Sequence, residues 1–195
     1  MITTREMILS FRQGGAGNCV SIAVIKAGIQ IFGVNELVLF EQQSDGVLSF
    51  IMKDGFEGTL TEHELNQAKN GSKFILQNNE EIYNYANLCF ASMSKRAFME
   101  HNENADTFQK AIATLNNGEY YFMGADWLGL RHHKRAIGLK YVWSNAGVVG
   151  ASAKHCFFCS EGLVDDHGTI DPIRFFDRLK YTFYNYYRIS KEPIY

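Results

Sequence analysis

A glutamine and a cysteine six positions apart, Gln13 and Cys19, flank the run Gly14-Gly15-Ala16-Gly17-Asn18. After the cysteine, Val20 to Ile31 is apolar at Ile22, Ile25 and Ile29, with Ala23 and Ala27 on a neighbouring face. That spacing predicts a buried helix whose first turn holds Cys19. Unpaired N–H groups and the macrodipole at a helix start favour negative charge. They promote the thiolate, which is the nucleophilic form. The Gln13 side-chain amide and the Cys19 backbone N–H are both suited to donate to an oxyanion. The glycines let backbone N–H groups approach a bound carbonyl closely. The chemistry this suggests is acyl transfer through a thioester. A buried, inert thiol on an ordinary core helix is the plain alternative.

A thiol nucleophile needs a base, which need not be near it in sequence. His155 follows Cys19 by 136 residues, at the start of the β-like run Cys156-Phe157-Phe158-Cys159. It would take the Cys19 proton and return it to the leaving amine. An imidazole in that role needs an acceptor that fixes its tautomer. Folding His155–Glu161 back through Gly162-Leu163 places Asp171 opposite His155. A turn at Ser160-Glu161 would place Asp166 there instead. Asp171-Pro172, followed by Ile173, Phe176, Leu179, Phe183 and Tyr187, also reads as the N-cap and first-turn proline of a closing helix.

The wording Arg12-Gln13-Gly14-Gly15-Ala16-Gly17-Asn18-Cys19 resembles the opening of the papain-fold cysteine peptidases, and within them the calpain-like branch. The tryptophan that commonly follows the nucleophile in those families is Val20 here. Tyr85 to Arg96 resembles the long helix after the β-meander of calpain-like cores, and the order of elements matches. His155 resembles the family's general base. Asp171 resembles the aspartate of an Asp-Pro pair in some relatives, whereas the family's asparagine motif with a following Trp-Gly is absent.

The resemblance implies an α+β, papain-like cysteine proteinase fold in a single catalytic domain, 1–195. A helical lobe would carry Cys19 and an antiparallel β lobe His155. It implies Gln13, Cys19, His155 and Asp171 as catalytic residues and a protein or peptide substrate. Hydrolysis of a peptide or isopeptide bond is the expected reaction, with acyl transfer to an amine open to the same parts. No metal or organic cofactor is implied, and the calcium-binding features of regulated calpains are not visible. The second expectation is a catalytically inactive papain-fold module that binds a partner through the same cleft.

The totals fit one such domain. A chain of 195 residues, 46% hydrophobic and 21% charged, buries a sizeable core and is not disordered. A net charge of −2 offers no electrostatic case for nucleic-acid binding. Four cysteines in this length do not read as a disulfide framework. Met1 to Gln13, with Arg5, Glu6 and Arg12 around a short apolar patch, is neither a signal peptide nor a spanning helix. Taken as complete, the chain is expected in the cytoplasm, away from membranes.

Further elements must position the pair. Met1–Phe11 reads as an extended lead-in, and Gly28 or Gly33 as the stop of the Cys19 helix. Leu37–Phe40, Val47–Met52 and Phe56–Leu60 read as a meander, turned at Ser44-Asp45-Gly46 and Asp54-Gly55. Thr61 and Glu64 form a capping box that opens a helix to about Asn70. Asn79–His101 is the longest helical pattern, with a buried stripe through Ile82, Tyr85, Cys89, Phe90 and Met93. Asp106–Leu115 is a further helix and Ile137–Trp143 a strand. Arg131–Arg135 reads as a solvated loop, His63 as part of a solvated helix face and His167-Gly168 as a turn. Cys156 and Cys159 read as core rather than a redox or zinc pair, because strand residues three apart face opposite sides.

Overall fold

Helix α2 (Cys19–Phe32) is the element the others enclose: Val20 through Gln30 are all buried, as befits a helix apolar on every side. In the computed structural model, which describes residues 2–43, 45–174 and 178–194, helices cover one side of α2 and a sheet the other. Gly33 ends α2 at φ 102°, a conformation that carries no Cβ penalty in glycine.

On the helical side lie α1 (Thr4–Ser10), α4 (Glu80–Met99) and the single turn α6 (Gly124–Trp127). Helix α1 replaces the extended lead-in expected for 1–11. Its start is a capping box: the Thr3 hydroxyl accepts from the Glu6 N–H, and the Glu6 carboxylate accepts from the Thr3 N–H. The same signature at Thr61 and Glu64 opens α3 (Glu62–Ser72) as expected. Helices α3 and α5 (Phe108–Leu115) pack on α4. Between α1 and α2, β1 (Phe11–Arg12) pairs with β5 (Ile75–Leu76). The meander is present as β2 (Leu39–Gln42), β3 (Leu48–Ile51) and β4 (Glu57–Leu60), all antiparallel. Of its first turn, Ser44 lies outside the described residues.

On the other side of α2 is an antiparallel sheet of β6 (Lys134–Ile137), β7 (Val148–Ala151), β8 (Cys156–Ser160), β9 (Leu163–Asp166), β10 (Thr169–Pro172) and β11 (Asn185–Ile189). Its order is β10-β9-β8-β7-β11-β6. Strand alternation divides its side chains between two cores. Val149, Ala151, Cys156, Phe158 and Tyr187 join the core around α2. Val148, Phe157, Cys159, Val164 and Tyr186 form a second cluster on the opposite face. Cys156 and Cys159 therefore face opposite sides, and both are buried free thiols. The chain is thus a mixed α+β protein built on antiparallel sheets. Among the described residues no helix is long and apolar enough to cross a membrane.

Three expectations from local pattern give way here. The strand expected at Ile137–Trp143 stops at Ile137, and after Gly138 a 3-10 turn covers Leu139–Ser144 with only Val142 buried. The basic run is not a solvated loop. His133 is buried, its Nδ1 lies 3.0 Å from the Ser190 carbonyl, and Lys134 donates to the Phe122 carbonyl at 2.7 Å. The closing helix is also absent as drawn. Asp171-Pro172 ends β10, helix α7 covers only Arg178–Thr182, and Tyr187 lies buried in β11. Leu179 and Phe183 are exposed, so their spacing marks no buried stripe. The run Asn185-Tyr186-Tyr187-Arg188-Ile189 has the aromatic and β-branched content that a half-buried strand accommodates better. Phe176 lies outside the described residues.

Candidate active site

Cys19 is the first residue of α2 and is partly exposed there. The loop before it is strapped to two other helices. The Asn18 amide donates to the Ser72 carbonyl at 2.7 Å and to Asn116 Oδ1 at 3.0 Å, and Asn116 in turn donates to the Gly71 carbonyl at 2.9 Å. The glycines matter here for packing. A Cβ on Gly14 would collide with the Lys73 carbonyl oxygen, and one on Gly17 would stand 2.5 Å from that of Asn116. Gly15 meets nothing. The Gln13 amide, expected to face an oxyanion, donates to the Ala16 carbonyl within the loop.

Gln13, Cys19 and His155 line one small cleft of about 20 Å³, with Asp165 and His167. Cys19 and His155 also line a larger groove of about 450 Å³ between Gly118–Tyr121 on one wall and Ala151–Cys156 on the other. Two residues 136 positions apart thus meet at one surface. His155 immediately precedes β8, and its N–H donates to the Ser152 hydroxyl at 3.1 Å.

Asp171 does not stand across a single hairpin from His155. The chain turns at Glu161-Gly162, pairing Cys159 with Val164 and Ser160 with Leu163. It turns again at His167-Gly168, so Asp171 lies one strand further out, opposite Val164. Both turns are X-Gly pairs with positive φ at each residue, the two-residue form that a twisted hairpin favours. Asp171 shares with His155 only a separate hollow of about 180 Å³, lined also by Asp165, Asp166 and Lys180.

The groups facing His155 most directly come from the β9–β10 turn. The His167 ring stacks on His155 with centroids 5.0 Å apart and planes 24° apart. Burial, and then the charge His167 can carry, push the His155 imidazolium below its ordinary range, while Asp165 and Asp166 oppose the shift. Removing an adverse like charge raises the midpoint, and removing a favourable opposite charge lowers it. His167→Asn, at a φ of 51° that asparagine tolerates, is therefore expected to move the His155 midpoint up. Asp166→Asn should move it down. Proton NMR titration of the imidazole C–H resonances reads both; shifts of the same sign in the two variants would contradict this arrangement.

Sequence reasoning missed the anchor of that turn. Lys26, fully buried at mid-helix in α2, donates to Asp165 Oδ2 at 2.6 Å and to the Ile8 carbonyl at 2.9 Å. Asp165 Oδ1 accepts from the Gly168 N–H at 2.6 Å. The helix that carries Cys19 is thus tied to the turn that carries His167. A lysine inside an otherwise apolar helix was the available signal, since buried charges are paired. Cys156, which lines both cavities with Cys19, is held as a thiol well above its ordinary range by burial and by the neighbouring sulfurs of Cys19 and Cys159. Among the described residues, no group of three or more His, Cys, Asp or Glu side chains is placed to hold a metal ion.

Compared with known proteins, the chain matches no family model, no curated protein and no solved structure.

Proposed function

We propose that this chain is a papain-like cysteine peptidase of the calpain-like type, cleaving a peptide or isopeptide bond through a thioester. The observation that carries the reading is the convergence of Gln13, Cys19 and His155 on one cleft beside an open groove. The order of elements supports the papain-like interpretation of the fold: the nucleophile helix first, then the meander, the long α4 and a late β-rich region. Four free cysteines fit a reducing, cytoplasmic setting.

In this reading His155 removes the Cys19 proton as sulfur attacks the carbonyl carbon, and the Cys19 N–H at the helix start stabilises the oxyanion. His155 then protonates the leaving amine, and water releases the acyl group by the reverse sequence. Gln13 serves as second donor through the amide hydrogen not given to Ala16. The His167 ring stacks on the imidazole, and the Asp165 and Asp166 carboxylates favour its charged form in place of the outlying Asp171.

The occupied Gln13 amide also favours a second reading, a partner-binding module with the same cleft and no turnover. Iodoacetamide labelling separates the two. A peptidase should label at Cys19 faster than a free thiol near neutral pH, and His155→Ala should slow the reaction by roughly 100-fold, the low end for a positioned acid–base group. Labelling at the rate of a free thiol, indifferent to His155, leaves only the binding module.

A further inference from the structure

We propose that Glu119 forms a cation-binding wall of the Cys19 groove, and that the substrate segment lying there presents a lysine or arginine side chain. The inference rests on the cysteine–histidine reading above and names the substrate class of that same site.

Glu119 belongs to the segment that runs past the nucleophile loop, where Asn117 bridges in parallel to Gly17. It lines the groove together with Cys19, and it is half-buried. Its neighbours inside the fold are neutral donors. Asn102 Nδ2 reaches Oε2 at 3.5 Å, and the Trp127 indole N–H, buried and otherwise without a partner, faces the same carboxylate.

What Glu119 lacks is a cation. Four other shielded carboxylates of this chain each hold one: Asp54 with Arg96, Glu64 with Lys95, Asp126 with Lys134 and Asp165 with Lys26. Among the described residues no lysine, arginine or histidine lies within ion-pair distance of Glu119. Burial and the nearby Glu103 both disfavour its charge, so an arriving ammonium or guanidinium would relieve an existing penalty. Lys154 and His155, the basic residues that line this groove, both come from the opposite wall, and neither pairs with it. Groups facing the groove from both walls thus leave one carboxylate open to an incoming positive side chain.

Peptide aldehydes provide the probe. The thiol adds to the aldehyde carbon, forming a C–S bond, and its proton passes to the aldehyde oxygen. The hemithioacetal is reversible and involves no oxidant. A series of acetyl-tripeptide aldehydes would carry lysine or its near-isostere norleucine at each of the three positions in turn. Protection of Cys19 from iodoacetamide measures the affinity of each.

At one position lysine should bind about tenfold or more tightly than norleucine, an ordinary effect for a well-placed charge pair. Glu119→Gln keeps an acceptor for Asn102 and should reduce that ratio to near one. Protection without a lysine preference, or a preference that survives in Glu119→Gln, overturns the assignment of Glu119 alone. Protection by none of the aldehydes overturns the cysteine–histidine reading, and this inference with it.

Discussion

Gly14→Ala is expected to slow iodoacetamide labelling of Cys19 by about 100-fold and to destabilise the fold by about 2 kcal/mol, while Gly15→Ala leaves both unchanged. The contrast follows from what each added methyl meets. At Gly14 it meets the main-chain carbonyl oxygen of Lys73, which cannot rotate aside as a side chain would. At Gly15 it meets open space. The loop must therefore move as a body, carrying Gln13 and the start of α2 with it. A displacement of about an ångström at a reacting group is enough for a loss of that size. Labelling kinetics and thermal unfolding of the two variants test the account side by side. Equal behaviour of Gly14→Ala and Gly15→Ala would show that the loop's fit against Lys73 does not set the site.

Lys26→Met should lower stability by about 3–5 kcal/mol, because it strands the Asp165 carboxylate in the interior with only the Gly168 N–H. For a chain of this length that is a fall of roughly 10 °C in Tm. Lys26→Met with Asp165→Asn should recover most of the loss. The double variant buries no charge and keeps an acceptor for Gly168, and replacing a whole buried pair is far less costly than breaking it. Differential scanning calorimetry provides the measurement. A Tm for Lys26→Met within 2 °C of the parent, on the order of the effect of a surface change, would mean that water or another group already compensates Asp165.

Much of the fold was legible because its signals are local. The α2 pattern, the Asp54-Gly55 turn, the Thr61 and Glu64 box and the stripe of α4 each depend on residues within a few positions of one another. The same rule applied to Thr3 and Glu6 would have found α1, but the short apolar run after it concealed the helix. Errors gathered where two periods compete. Residues 171–187 carry a helical spacing in their apolar positions, and the overlapping run 185–189 has a strand-like composition. The fold resolves this by pairing β11 between β6 and β7.

In the candidate site, the sequence by itself determined the reactive types and their order: an amide and a thiol on one early segment, an imidazole on a late strand. Covalent spacing and helix-start physics are sufficient for that. Only the tertiary structure decided which acids lie near the imidazole, since two residues of turn at Glu161-Gly162 and two more at His167-Gly168 moved Asp171 to a third strand and left Asp165 and Asp166 nearer. It also decided that Lys26 answers Asp165 from 139 positions away, and that Glu119 is answered by no cation among the described residues. Pairing of buried charge depends on which surfaces meet in space, and no local pattern carries that information.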